Sequence, residues 1–482
     1  MRAAWAFWLL AVGGCASPTP RPPVTLRELV EYNSSASKDF TPRAVALYNT
    51  RRVVSKSLSE DQRLESLRVL EAVGVGMEEA CPALVLVLAD AQTPRRLRHA
   101  VLALLARRRQ PGLARPLMSA LPAVTDPALR LSMLGWLEEN PSGLELADVV
   151  KLWAARPELP EAEEARYRRI VEKLTGKDWR QALLEGLNAR EFYARGSAIE
   201  LLSRRVPSAV LRRSISALKA RTDAVRAMQL FVEAFGYVPA NGRELLATVV
   251  AYADGDGRFI RAAGLANYWR SQYGYRFNIR DLHLLEHLAG DPVRNARMSR
   301  AQLVLEVARA IARRRAGLGG SRPAKIRAGR VVDFQANSDG LSMADLWNLL
   351  LLDEMFRRPT IAQAFRLTAA AGRSGPAGAW GGLICWSHGQ FEARAYRPGQ
   401  QGGKRYVPSE RMLWDALRAA CFFVGHLRGP RGEVGPTADE LALARRLNLY
   451  GVAVTGLGTD RLNVMYFTPA GTVVDLGEFP TR

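Results

Sequence analysis

The sequence predicts a multidomain chain, an all-α solenoid of helical hairpins followed by a smaller α+β domain. From residue 25 to 315, Leu, Ala, Arg and Val recur at helical spacing, with Pro, Gly or Asp interrupting the pattern again and again; this is the texture of successive short helices. The interruptions look alike and return at intervals of about 33 to 35 residues, as stacked hairpin repeats do. Beyond residue 368 the texture changes to short apolar runs bounded by glycine turns. With 482 residues, 48% of them hydrophobic and 24% charged, the chain has room for several cores, and its composition excludes disorder.

The N-terminus predicts export. Met1-Arg2 is followed by an apolar stretch, Ala3 to Val12, with Trp5, Phe7, Trp8, Leu9 and Leu10, and then by Gly13-Gly14-Cys15. The run is short of the roughly 20 apolar residues that a spanning helix needs, and the proline-rich strip Pro18 to Pro23 stops it. Val12-Gly13-Gly14-Cys15 resembles the bacterial lipobox, with Val12 where Leu is usual. That resemblance implies a signal peptide at 1–14 and acylation of Cys15, after which 15–24 forms a stiff tether. An ordinary cleaved signal with an incidental cysteine is the plainer alternative. Ala16-Ser17, with no acid after the cysteine, resembles the outer-membrane pattern of enterobacterial lipoproteins. The expected location is therefore the cell envelope, lipid-anchored and facing the periplasm or cell surface.

Within the helical array, assigned to 25–315, Thr93-Pro94-Arg95 to Leu102 matches in kind Asp126-Pro127-Ala128 to Leu134 and Asp291-Pro292-Val293 to Met298. Weaker copies begin near Asn188, Thr222 and Asp256. Each sets a capping residue at a helix start, with Pro at the first helical position in the best copies. The pattern resembles the HEAT-type family of helical hairpin repeats; a compact helical bundle is the alternative. Solenoids bind partners along extended faces, and that sets the functional expectation. His283-Leu284-Leu285-Glu286-His287 spells the pattern of inverted zinc peptidases, but nothing after it resembles the rest of that family, so surface or packed histidines are expected.

A basic connector, assigned to 316–340, follows Arg313, Arg314 and Arg315 and carries Arg322, Lys325 and Arg327; it is either a solvated linker or a patch for phosphate-rich surfaces. The domain at 341–482 predicts a helix from Met343 to Arg357, another through Thr368, and strands at Gly381–Trp386 and Gln390–Tyr396. A helix from Ser409 to Ala420 leads into a strand ending at His426, and a helix from Thr437 to Leu447 precedes strands at Gly451–Thr455, Leu462–Thr468 and Thr472–Leu476. Cys385 and Cys421 are the one pair considered for a disulfide; reduced and buried is the alternative.

These residues resemble the JAMM or MPN-type metalloprotease fold. That family sets a glutamate before a glycine-containing strand, His-x-His at the end of a later strand, and an aspartate near the start of the next helix. Here Ala379 stands at the glutamate's position, His426 and Asp439 are kept, and Arg428 replaces the second histidine. The resemblance therefore implies a domain without its general base and with a guanidinium where a zinc ligand belongs. No zinc and no other cofactor is expected, unless Glu392 or His388 substitutes.

The net charge of +21 would point to nucleic acid in a cytosolic protein; after export, anionic lipid, acidic glycan or an acidic protein fits it better. The expected function is a lipid-anchored envelope scaffold that binds a protein partner and has no catalytic activity of its own. The alternative is a zinc-dependent peptidase or amidase at the C-terminal domain.

Overall fold

The computed structural model describes residues 21–35, 39–108, 112–254, 257–289, 295, 298–316, 333–356, 358–374, 379–387, 390–397, 399, 406–427, 434–456 and 461–480. It is a helical solenoid followed by an α+β domain, as the sequence predicts. The signal peptide, Cys15, the Asp291-Pro292 repeat copy, Arg322, Lys325, Arg327 and Arg428 lie outside the described residues.

By contacts the chain divides into two compact units, 1–182 and 183–482. The sequence boundary was drawn at the basic connector instead. A composition shift marks a surface connection, whereas a contact boundary depends on which apolar faces meet.

In the first unit helices pack chiefly against neighbours one or two places along the chain, as in stacked hairpins. Several of its helix starts, at Thr25, Thr41, Ser59 and Asp126, follow the predicted capping chemistry. Asp126 accepts from the backbone N–H groups of Ala128 and Leu129, with Pro127 at the first helical position of the Pro127–Glu139 helix. One repeat holds the next through polar contacts at a nearly constant separation. Arg130 meets Glu163, 33 residues on, at 2.7 Å, and Arg169 meets Glu138, 31 residues back, at 2.8 Å. Arg156 donates to the Leu121 carbonyl, 35 residues back, at 3.1 Å. Because Glu163 is buried, the Arg130 pair works where water screens it least.

The second unit begins with the same hairpin logic, since Arg221 N–H donates to Asn188 Oδ1 across 33 residues and Arg270 donates to the Glu233 carbonyl across 37. It then closes on a six-stranded sheet of order β2-β1-β3-β4-β5-β6, comprising β1 (Ala379–Ser387), β2 (Gln390–Tyr396), β3 (Ala419–Leu427), β4 (Tyr450–Gly456), β5 (Arg461–Phe467) and β6 (Val473–Pro480). Only β3 and β4 pair in parallel.

Alternation along the strands builds a core on each face. Ile384, Phe423, Val452 and Val464 join Phe231, Trp269, Leu303 and Leu352 from the helices on one side. Leu383, Phe422, Ala453 and Met465 join Leu441 and Ala444 of the Ala438–Leu447 helix on the other. Glycines inside strands mark where rings lie against backbone: a Cβ on Gly451 would fall 2.2 Å from the Phe467 ring.

The cysteine question is settled by this alternation. Cys421 belongs to one core and Cys385 to the other, and both are buried free thiols. Side chains on opposite faces of a sheet cannot meet the geometry of a disulfide.

Candidate functional site

Of the residues singled out by the metalloprotease resemblance, Ala379, His426 and the start of the helix bearing Asp439 lie toward one end of the sheet. β1 and β3 run antiparallel with Ala379 opposite His426, and the parallel β3–β4 register sets His426 beside Thr455. Gly435 N–H donates to the buried Thr455 hydroxyl at 3.5 Å, which draws the segment before the next helix to the same end. Thr437 caps that helix in a reciprocal box with Glu440, and Asp439 lies exposed in its first turn.

Ala379 offers no ligand at the position facing His426, and among the described residues no group of three His, Cys, Asp or Glu side chains gathers. Zinc in proteins takes at least three such ligands, so no chemistry is derived through a metal here.

His283 and His287 do not converge either. His283 is buried, and its Nε2 bonds Asn348 Oδ1 at 3.2 Å, while the His287 ring faces Glu354 at 3.5 Å. Burial pushes the His283 imidazole down to about 4.

Of the basic residues assigned to the connector, Arg313 is exposed in the Arg300–Ala316 helix, as a solvated face requires. Arg314 is instead an anchor. Its guanidinium stands 4.3 Å from the Phe479 ring centroid and 5.5 Å from that of Phe356, and it pairs with Asp353. That docks the helix on β6 and removes Arg314 from any surface patch.

A site that sequence reasoning missed lies at the opposite end of β3 and β4. There a cavity of about 130 Å³ is bounded by the Gly242–Ala253 helix, the turn into the Leu282–Leu288 helix, and the chain entering β3 and β4. Asp281, almost wholly buried beside it, accepts from Asn278 N–H at 2.8 Å, the Tyr450 hydroxyl at 2.7 Å and Asn348 Nδ2 at 3.3 Å. The Arg280 guanidinium lies 5.0 Å from the Tyr450 ring centroid and donates to Asn448 Oδ1 at 2.5 Å. Asn448, left-handed at φ 47°, donates in turn to Glu244 at 2.6 Å. Arg243 donates to the Leu447 and Leu413 carbonyls at 3.1 and 3.3 Å, neutralising two helix ends. Arg418 grips Asp254 through Nη2 at 2.7 Å and Nε at 3.1 Å.

Burial governs the titration of this cluster. It raises the Asp281 and Glu244 carboxyls and, together with Arg446, lowers the Arg243 guanidinium to about 10. Arg280 opposes the carboxyl shifts. Apart from the Arg280 Nε, these groups largely engage one another, and the arrangement ties helices to sheet. The sequence offered one local signal, Asn448 after the last helical turn, a common left-handed cap.

No family model, curated protein or solved structure matches this chain.

Proposed function

We propose that the chain is a lipid-anchored scaffold of the bacterial cell envelope, whose HEAT-like repeats present a binding surface and whose C-terminal domain is a non-catalytic relative of the JAMM or MPN fold. The observation that carries the reading is the repeat-to-repeat stacking, exemplified by Arg130–Glu163 and Arg169–Glu138. Contacts at one recurring separation build an extended helical face, the form that proteins use to hold partners along a surface. The lipobox-like Val12-Gly13-Gly14-Cys15 supports the anchor, and the net charge of +21 supports an anionic partner surface, lipid, glycan or acidic protein.

The zinc peptidase or amidase is the second reading. It draws on the Ala379–His426 register and the nearness of the helix bearing Asp439. Elemental mass spectrometry of the detergent-purified mature chain and its Asp439→Ala variant separates the two. The scaffold reading expects no stoichiometric zinc in either protein; zinc bound one-to-one and lost in the variant overturns it. Fatty-acid labelling abolished by Cys15→Ser is the expected result for the anchor, and labelling that persists removes it.

A further inference from the structure

The second unit holds a larger cavity, about 670 Å³, which shares Arg280 and Asp281 with the cluster above and adds three further guanidiniums. Arg212, Arg270, Arg276 and Arg280 line it, against a single carboxylate, Asp281. Asp281 is already engaged by Asn278, Tyr450 and Asn348. Arg212 donates to the Gly236 carbonyl at 2.8 Å, and Arg270 to the Glu233 carbonyl at 2.8 Å and Asn267 Oδ1 at 2.9 Å. Those contacts use one nitrogen of each fork. The Nε atoms of Arg212, Arg270 and Arg280 remain buried without an acceptor, and the buried Tyr237 hydroxyl at the same wall makes no well-formed hydrogen bond.

Buried donors of this kind are costly unless something accepts from them, and four guanidiniums against one lining carboxylate leave the wall positive. The remaining wall adds to the positive potential. Ser208 lines the cavity in the first turn of the ten-residue Ser208–Ala217 helix, whose N-terminus has no side-chain cap. Arg276 is exposed at the mouth, where it can meet an incoming ligand before the buried groups do.

We infer that this cavity binds an oxyanion, the phosphoryl or carboxylate group of a small ligand, with Arg276 and Arg280 bearing the charge and Tyr237 supplying a neutral donor. Forked guanidinium donors match the planar oxygens of either group. The inference stands apart from the scaffold reading, because it concerns a ligand within the second unit and not the partner of the solenoid.

Calorimetric titration of the mature full-length chain with inorganic phosphate and, separately, with citrate tests it. Saturable one-to-one binding of either is expected; phosphate alone identifies a phosphoryl ligand and citrate alone a carboxylate one. Arg276→Ala, at an exposed side chain, should weaken binding on the order of tenfold, as loss of one charge-assisted contact does. Tyr237→Phe, which keeps the ring, should weaken it less, and Arg27→Ala, at an exposed residue of the first unit that does not line the cavity, should leave it unchanged. No saturable binding of either anion at millimolar concentration overturns the inference, as does binding that Arg27→Ala weakens as much as Arg276→Ala.

Discussion

The Tyr450 hydroxyl donates to Asp281 at 2.7 Å across 169 residues of sequence, joining the first residue of β4 to the turn that leads into the Leu282–Leu288 helix. Both partners are almost wholly buried, so removing one leaves the other short of a partner that water cannot replace. Tyr450→Phe keeps the ring beneath Arg280 and deletes only the donor. It should lower unfolding free energy by about 2 kcal/mol, read as a fall in the denaturant midpoint at constant slope. An unchanged midpoint would mean that Asn278 and Asn348 alone satisfy Asp281.

Arg130 and Glu163 form the least exposed rung between repeats, with 16% and 3% of their side chains exposed. Arg130→Ala leaves the buried Glu163 to Arg156, 3.9 Å away, and Glu163→Ala leaves Arg130 to the Val124 and Thr125 carbonyls, so each single substitution should cost about 2 kcal/mol. The double variant should cost less than the sum of the singles by at least about 1 kcal/mol, since the partners share one interaction. Strict additivity in a double-mutant cycle would show that the rung contributes nothing as a pair.

Local chemistry made much of this fold legible. Asp126-Pro127 announces its helix because a capping carboxylate and a proline act on the backbone beside them. The six strands read correctly because short apolar runs bounded by glycine turns are short-range patterns, and β4 and β5, buried on both faces, are such runs. The Asp281 cluster was not legible, because Arg280, Asn348 and Asn448 carry no mutual spacing until the fold brings them together. Nor does any spacing join Phe231 and Trp269 to Val452, with which they share a core in the folded chain. Arg314 read as one more cation in a basic run because its aromatic neighbours Phe356 and Phe479 are remote in sequence.

Cys385 and Cys421 sit on neighbouring strands with side chains in different cores, and burial raises both thiols, Cys385 to about 11. Neither is a thiolate at neutral pH, and neither can reach the other. Native protein exposed to a mild oxidant, then unfolded and alkylated, should carry label on both residues together with Cys81, the third buried free cysteine. Loss of two labels, with a mass lower by two hydrogens, would demonstrate the bond that the sheet alternation forbids.

His283 gives the second unit an acid-sensitive point. Its imidazole is buried neutral against Asn348, with a value lowered from 6.5 to about 4, first by burial and then by His287. A basic group lowered on folding contributes stability that is present above pH 6.5 and is lost as pH falls through about 4. The nearby carboxyls of Asp281, Glu244 and Asp345 are raised by burial and act in the opposite sense, contributing most at low pH and losing that contribution as pH rises. Whole-protein acid stability mixes these effects, but the difference between wild type and His283→Gln isolates the histidine. The destabilisation caused by His283→Gln should be largest near neutrality and shrink toward pH 4, by up to about 1.4 kcal/mol per pH unit. Urea unfolding of both proteins at several pH values across this window measures it; a difference that does not change with pH would mean that His283 titrates alike in the folded and unfolded chains.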